Sequence, residues 1–233
     1  MLFEHFRPQT LSAFKNKVTV MSRSFGVSAF ETRPTSASLL ARTLEAWSLV
    51  ESSILLQYAC LLGGPYSEDT IAYMRQKPDS HRDETLKHYL FESLSGPELQ
   101  IIGCLNELKY EYKVERDKLV DWSWSFSEGL KNAVLLSDPR MQFGHPYSEN
   151  MEPERSNIFV YSNKEFECLI KGFEKLASCF SDFGHFRSKS DNTRSQEAFE
   201  RISSDPVMVN KMRVWNRIYG LSLGFGSKTP IYF

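Results

Sequence analysis

Charged side chains and tryptophans are concentrated in a nine-residue stretch near the middle of the chain. They are Arg116, Asp117, Lys118, Asp121, Trp122 and Trp124. Asp117 and Asp121 are four residues apart, so on a helix they share one face. Two carboxylates placed in this way can bind a divalent metal or transfer protons. The other interpretation is a solvated helix end with alternating charges, which is the commoner use of such a pattern.

A long predicted helix positions these residues. This helix is predicted to run from Ser95 to Phe126. Pro97 suits its first turn, because the proline ring already sets φ to a helical value. Apolar residues recur along it at three- and four-residue steps, which predicts one core-facing stripe. The stripe consists of Leu99, Ile102, Leu105, Leu108, Tyr112 and Leu119. After Trp122 the apolar pattern begins to alternate, which predicts a β-hairpin over 122–136 with 158–161 as a third strand.

The rest of the chain shows further helical patterns. The predicted segments are 35–62, 67–75, 79–94, 162–186, 196–202 and 207–218. Thr35 and Ser36 are predicted to cap the first of these helices, and Gly63 and Gly64 to end it. Ser162 and Glu165 form a capping box. The sequence therefore predicts a mainly α protein, a bundle of four or more helices with a small hairpin or three-stranded insertion.

We expect three parts in this chain: an N-terminal arm (1–34), a helical bundle (35–186) and a C-terminal helical extension (187–233). The bundle includes the hairpin 122–136 and a loop, 137–156, that is rich in proline and charge. Loops of this length are often functional.

The stretch RDKLVDWSWS resembles a degenerate form of the RN…HG.W signature of the HEPN superfamily, particularly of its small bacterial members. In that family a long helix ends in arginine, asparagine, two or three apolar residues, histidine, glycine and a nearby tryptophan. Arg116 matches the arginine, Asp117 the asparagine and Trp124 the tryptophan. The apolar pair is Leu119 and Val120. The resemblance continues loosely over residues 36–180 and implies a HEPN-like bundle.

Two positions depart from that signature. Asp121 stands where the family has histidine, and Trp122 where it often has glycine. In active members the histidine helps to move the 2′-hydroxyl proton of RNA and the arginine steadies the phosphate. An aspartate could accept that proton, but its negative charge would repel the phosphate, and carboxylates are poor proton donors at neutral pH. The ribonuclease activity of the family therefore does not transfer to this chain by resemblance alone.

The resemblance gives two more residues a candidate role. It implies an acidic residue opposite the arginine-bearing helix, and Glu51 is placed to pair with Arg116; the alternative is an ordinary carboxylate at the edge of the core. His145, in the long loop, is the histidine that could replace the missing one in space. The resemblance also implies a homodimer with the arginine-bearing helix near the interface.

The composition of the chain limits the classes of protein and of binding partner that remain possible. The chain has 233 residues, 41% of them hydrophobic, and a net charge of −1, so an RNA contact would need a local basic patch. The four cysteines are widely spaced in apolar helical contexts, which predicts reduced core thiols. His81 and His88 lack partners at a metal spacing and are interpreted as surface residues. We expect a cytoplasmic protein with no metal, no cofactor and no membrane partner.

Three hypotheses follow from these patterns. The first is a non-catalytic HEPN-like module that dimerises and binds RNA or a second protein. The second is a metal-independent endoribonuclease that uses Arg116 with Asp121 or His145. The third is a metal-dependent hydrolase built on Asp117, Asp121 and Glu51.

Overall fold

The computed structural model describes residues 8–14, 28–75, 89–90, 93–94, 96–140, 155–188 and 192–220. This part of the chain is mainly helical, as predicted, with one small antiparallel sheet. Its helices are α1 (Ala29–Thr32), α2 (Pro34–Leu61), α3 (Glu68–Arg75), α4 (Gly96–Asp121), α5 (Asn163–Arg187), α6 (Asn192–Ser204) and α7 (Pro206–Trp215). A π-helical turn, Asn216–Gly220, follows α7. None of the helices in these ranges has an apolar stretch long enough to cross a bilayer.

The sheet has four strands where the sequence predicted three. Its strands are β1 (Gln9–Thr10), β2 (Ser123–Ser125), β3 (Ala133–Ser137) and β4 (Ile158–Ser162), in the order β1-β4-β3-β2. The predicted hairpin is confirmed, with Trp124 opposite Leu136, and so is the third strand. The additional strand comes from the predicted N-terminal arm, where Gln9 pairs with Val160. A strand of two residues is too short to show an alternating pattern, so no local signal predicted it.

Two predicted helix ends are wrong. Helix α4 ends at Asp121 rather than Phe126, because β2 begins at Ser123 and pairs with β3. Helix α2 begins at Pro34, whose preset φ suits a first helical residue, so the predicted caps lie inside the helix. Ser36, one of those caps, instead donates a hydrogen bond from its Oγ to Asn163 Oδ1 at 2.8 Å.

Other predicted ends are confirmed. Gly63 has φ 92° and follows α2, a conformation that glycine adopts without strain. Ser67 Oγ accepts a hydrogen bond from the Thr70 amide at the start of α3, at 3.1 Å. At the start of α5, Glu165 Oε2 accepts from the Ser162 amide at 2.7 Å and Ser162 Oγ accepts from the Glu165 amide at 3.4 Å, so both bonds of the predicted capping box are present.

The chain divides into two compact units. The helical unit comprises the described residues of Ser48–Tyr110 and Glu174–Phe233, and the sheet unit those of Leu2–Trp47 and Glu111–Phe173. The long helices α2, α4 and α5 each contribute residues to both units. The predicted three-part division, with boundaries after residues 34 and 186, stays a prediction.

The core of the sheet unit surrounds β3. Its residues from Ala133 to Leu136 are all buried, so both faces of the strand are covered. One cluster joins this strand to the N-terminal segment and to β4; its members are Leu11, Ala133, Leu135, Ile158 and Val160. Each large apolar side chain buried in this way stabilises the fold by about 1.5–3 kcal/mol.

In the helical unit, the part of α4 from Ile101 to Leu105 is covered on all sides. The predicted stripe residues Ile102 and Leu105 are buried, but so are all five residues from Ile101 to Leu105, so burial in this part of the helix is not confined to one stripe. The reason is a close contact with α7: a Cβ placed on Gly103 would lie 2.3 Å from Cη2 of Trp215. Glycine therefore lets the indole ring lie directly on the backbone of α4. Gln57 lies against Gly184 in a similar way.

The prediction of four core cysteines is half wrong. Cys104 and Cys179 are buried, whereas Cys60 and Cys168 are exposed, and all four are free thiols. Burial raises the pKa of Cys104 and of Cys179 to about 12, so neither thiol is a ready nucleophile at neutral pH. The predicted surface histidines, His81 and His88, and most of the predicted helix 79–94 lie outside the described residues.

Candidate functional site at the end of helix α4

Arg116 lies over a buried tryptophan. Its Cζ is 5.4 Å from the ring centroid of Trp47 on α2, a cation–π contact, and its side chain is 24% exposed. Trp47 is almost fully buried and also contacts the Phe173 ring edge-on at 5.1 Å. The position of the guanidinium is therefore fixed by an aromatic core contact in the sheet unit.

Asp117 is a carboxylate that contacts this arginine. Arg116 Nη1 lies 3.0 Å from Asp117 Oδ1, and Lys113 Nζ lies 2.8 Å from Asp117 Oδ2. Both carboxylate oxygens are thus engaged by cations of the same helix. The arrangement neutralises the negative charge of Asp117 and part of the positive charge of Arg116.

A second polar cluster, absent from the sequence-based prediction, lies at the same end of α4. Glu115 accepts a hydrogen bond from the Tyr161 hydroxyl at 2.8 Å, and its other oxygen is 2.7 Å from Lys118 Nζ. Tyr161 is fully buried. Its burial, reinforced by the negative charge of Glu115, raises its pKa well above the ordinary value, so the phenol stays protonated.

Lys118 also contacts two aromatic rings. Its Nζ lies 5.7 Å from the Trp122 ring centroid and 5.2 Å from that of Phe159 on β4. The contact of Lys118 with Trp122 could have been predicted from the four-residue spacing of the two residues in the sequence. Phe159 comes from a strand about forty residues further along the chain, and no local pattern connects it to this helix.

Asp121 occupies the exposed last position of α4. Its charge acts on Arg140, which follows β3: the pKa of Arg140 is raised mainly by its hydrogen bond to Asp138 and to a lesser degree by Asp121. Hydrogen bonds from Arg140 in turn hold the pKa of Asp138 below its usual value. Arg140 Nη2 lies 2.6 Å from Asp138 Oδ2.

The structure thus brings together two of the predicted site residues, Arg116 and Asp117. Glu51 is an exposed residue of α2 in the helical unit, and its pairing with Arg116 stays a prediction. His145 and most of its loop lie outside the described residues. Within the ranges that are described, no three histidine, cysteine or acidic side chains are grouped closely enough to hold a metal ion.

Comparison with models of known protein families, with curated proteins and with solved structures finds no significant match. These comparisons therefore do not test the resemblance to the HEPN superfamily, which stays a prediction.

Proposed function

We propose that this chain is a HEPN-like helical protein that acts by binding and not by catalysis, and that it works as a homodimer. Its partner would be RNA or a second protein. The observation that carries the proposal is the state of Arg116. A guanidinium that steadies a scissile phosphate needs free positive charge and open hydrogen-bond donors. Here its charge is opposed by Asp117 and its face is covered by Trp47.

The residue at the histidine position of the signature supports the same proposal. Asp121 is exposed and its field acts on Arg140. A carboxylate at this place adds negative charge where the family's mechanism requires a group that handles a proton beside a phosphate. Electrostatics at this helix end therefore favour holding a partner over cleaving RNA.

A surface of α4 offers an interface for the second copy. Val114, Asp117 and Asp121 recur at three- and four-residue steps and so share one face. Val114 is 42% exposed, so this face of α4 presents an apolar side chain to water. An isologous contact along this face would cover Val114 of each copy.

Sedimentation equilibrium tests the dimer. We expect a mass of twice 26.9 kDa for the wild-type protein at about 20 μM, and a monomer for Val114→Lys, because the lysine would have to be desolvated at the interface. Val214, on α7, is 40% exposed, so Val214→Lys is a matched control that should leave the dimer intact.

Incubation with RNA in excess chelator tests the absence of catalysis. We expect the RNA to stay intact with the wild-type protein and with Arg116→Ala. Cleavage by the wild-type protein that disappears in Arg116→Ala would establish the endoribonuclease hypothesis instead. In the sedimentation experiment, a monomeric wild-type protein would refute the proposed dimer.

A further inference from the structure

Lys118 sits in a corner made by two aromatic rings and a carboxylate. The Trp122 and Phe159 ring centroids are 5.5 Å apart and the ring planes are inclined by 55°, so the two faces form an open V. The carboxylate of Glu115 lies on the third side of this corner, with its Oε1 2.7 Å from Lys118 Nζ. All of these residues belong to the sheet unit. We call Trp122, Phe159 and Glu115 the cation corner.

The chemistry of the cation corner is that of a receptor for an organic cation. Aromatic faces carry the negative part of the ring quadrupole and attract an ammonium group within about 6 Å. A carboxylate next to them supplies full negative charge. Glu115 is oriented by the Tyr161 hydroxyl, which donates to its other oxygen at 2.8 Å, so the carboxylate is held ready for a cation.

Lys118 is the cation that fills this corner in the described structure, and several features make it replaceable. It lies in the last turn of α4, near a helix end. Its Nζ is more than 5 Å from both ring centroids, toward the outer limit of a cation–π contact. The side chain is 19% exposed, so solvent reaches the site, and its flexible four-carbon stem can move the ammonium away without moving the helix.

We propose that the cation corner is a binding site for an alkylammonium group, which Lys118 occupies in cis and must leave before another ammonium can enter. The entering group is either a free alkylamine in its charged form or a lysine side chain of another polypeptide; both present the same chemistry. Lys118 is then a competitor tethered to the site. This inference does not depend on dimerisation, and it uses neither Arg116 nor Asp117.

The test is a titration with n-butylammonium, which matches the end of a lysine side chain, followed by the NMR signal of the Trp122 indole N–H. The signal is assigned from the spectrum of Trp122→Phe. In Lys118→Ala we expect a saturable shift with a Kd at least tenfold lower than in the wild-type protein, since the tethered competitor is gone. Adding Phe159→Leu to Lys118→Ala should raise the Kd at least tenfold, because one aromatic face is lost.

Two further probes test whether binding requires the positive charge, and whether the ammonium group comes from a free amine or from a polypeptide. n-Butanol has the same chain without the charge and should give no saturable shift at the same concentrations. A short peptide with one central lysine should bind Lys118→Ala at least as tightly as n-butylammonium if the source is a polypeptide, and more weakly if it is a free amine.

The proposal would be overturned by equal shifts with n-butanol, by no saturable shift in Lys118→Ala, or by equal Kd values for the wild-type protein and Lys118→Ala. Circular dichroism checks that each variant folds. Should Lys118→Ala not fold, Lys118→Ser is the second variant. The wild-type protein is titrated in parallel, and a wild-type Kd lower than that of the Lys118 variant would also contradict the proposal.

Discussion

The two halves of helix α4 are held in different ways. In the helical unit, the half from Gly96 to Tyr110 contains five consecutive buried residues, and the Trp215 ring lies on its backbone at Gly103. In the sheet unit, the half from Glu111 to Asp121 has one fully buried side chain, Leu119, and its charged side chains form ion pairs and cation–π contacts.

This difference shows which half of the helix has side chains that can take part in binding or in a reaction. Close apolar packing holds the first half, and its residues are therefore fixed but unreactive. The second half keeps charged groups partly in water, where they can exchange partners. Substitutions in the first half should consequently cost far more stability than those in the second.

The largest effect is expected from Leu105→Ala. Leu105 is fully buried, so the truncation loses apolar contacts and leaves a cavity; we expect the free energy of unfolding to fall by about 2–5 kcal/mol. Val120→Ala, at a 53% exposed position of the second half, should cost less than about 0.5 kcal/mol. Urea unfolding measures both, and similar losses at the two positions would remove the contrast between the halves.

Gly103→Ala should have the next largest effect. The added Cβ would lie 2.3 Å from Cη2 and 2.5 Å from Cζ3 of Trp215, and a rigid indole cannot bend away. We expect a loss of about 1–3 kcal/mol from overpacking. The control is Gly129→Ala, where the nearest neighbour is Ser127 Oγ at 3.8 Å. Thermal melts of the two variants should differ clearly; equal melts would mean that the indole does not rest on α4.

Alkaline pH should weaken the helical unit through its buried thiols. Burial raises the pKa of Cys104 from 9.0 to about 12, so the folded state keeps a proton that the unfolded state releases. Its contribution is complete below pH 9 and is lost as the pH rises toward 12; between pH 8 and pH 10 we expect a loss of about 1 kcal/mol. Cys104→Ala should flatten this dependence relative to the wild-type protein when urea midpoints are compared at the two pH values.

The smallest effect is expected in the second half. Lys113→Ala removes one of the two cations on Asp117, and because the pair is well exposed it should cost only about 0.3–0.5 kcal/mol. The loss should disappear in 1 M NaCl, where exposed charges are screened. Lys171→Ala, at an exposed position of α5, is the control; a loss at Lys113 that persists in high salt would mean that the pair is not electrostatic.

Local signals in the sequence predicted much of the fold. Gly63 and Gly64 ended α2 because glycine accepts positive φ, and Ser162 and Glu165 began α5 as a capping box. The hairpin followed from an alternating pattern around a turn. The predictions that were wrong concerned features that depend on residues far away along the chain. The end of α4 is decided by pairing with β3, and the burial of Gly103 by a tryptophan on α7.

The candidate site was predictable only in part. The sequence indicated the right helix end and the right arginine, but spacing alone favoured no particular carboxylate for it. Asp117 meets Arg116 although adjacent helical residues point in different directions, because a long arginine side chain can curl back to its neighbour. The cluster of Glu115, Lys118 and Tyr161 joins a helix to a strand that lies far along the chain, and such a contact leaves no local pattern.

The pairing of β1 with β4 has a consequence for biosynthesis. Gln9 lies opposite Val160, so about 150 residues must leave the ribosome before the first strand meets its neighbour. Loop closure over such a distance is entropically costly and slows folding. The segment that forms β1 therefore lacks its native pairing partner until β4 has emerged from the ribosome.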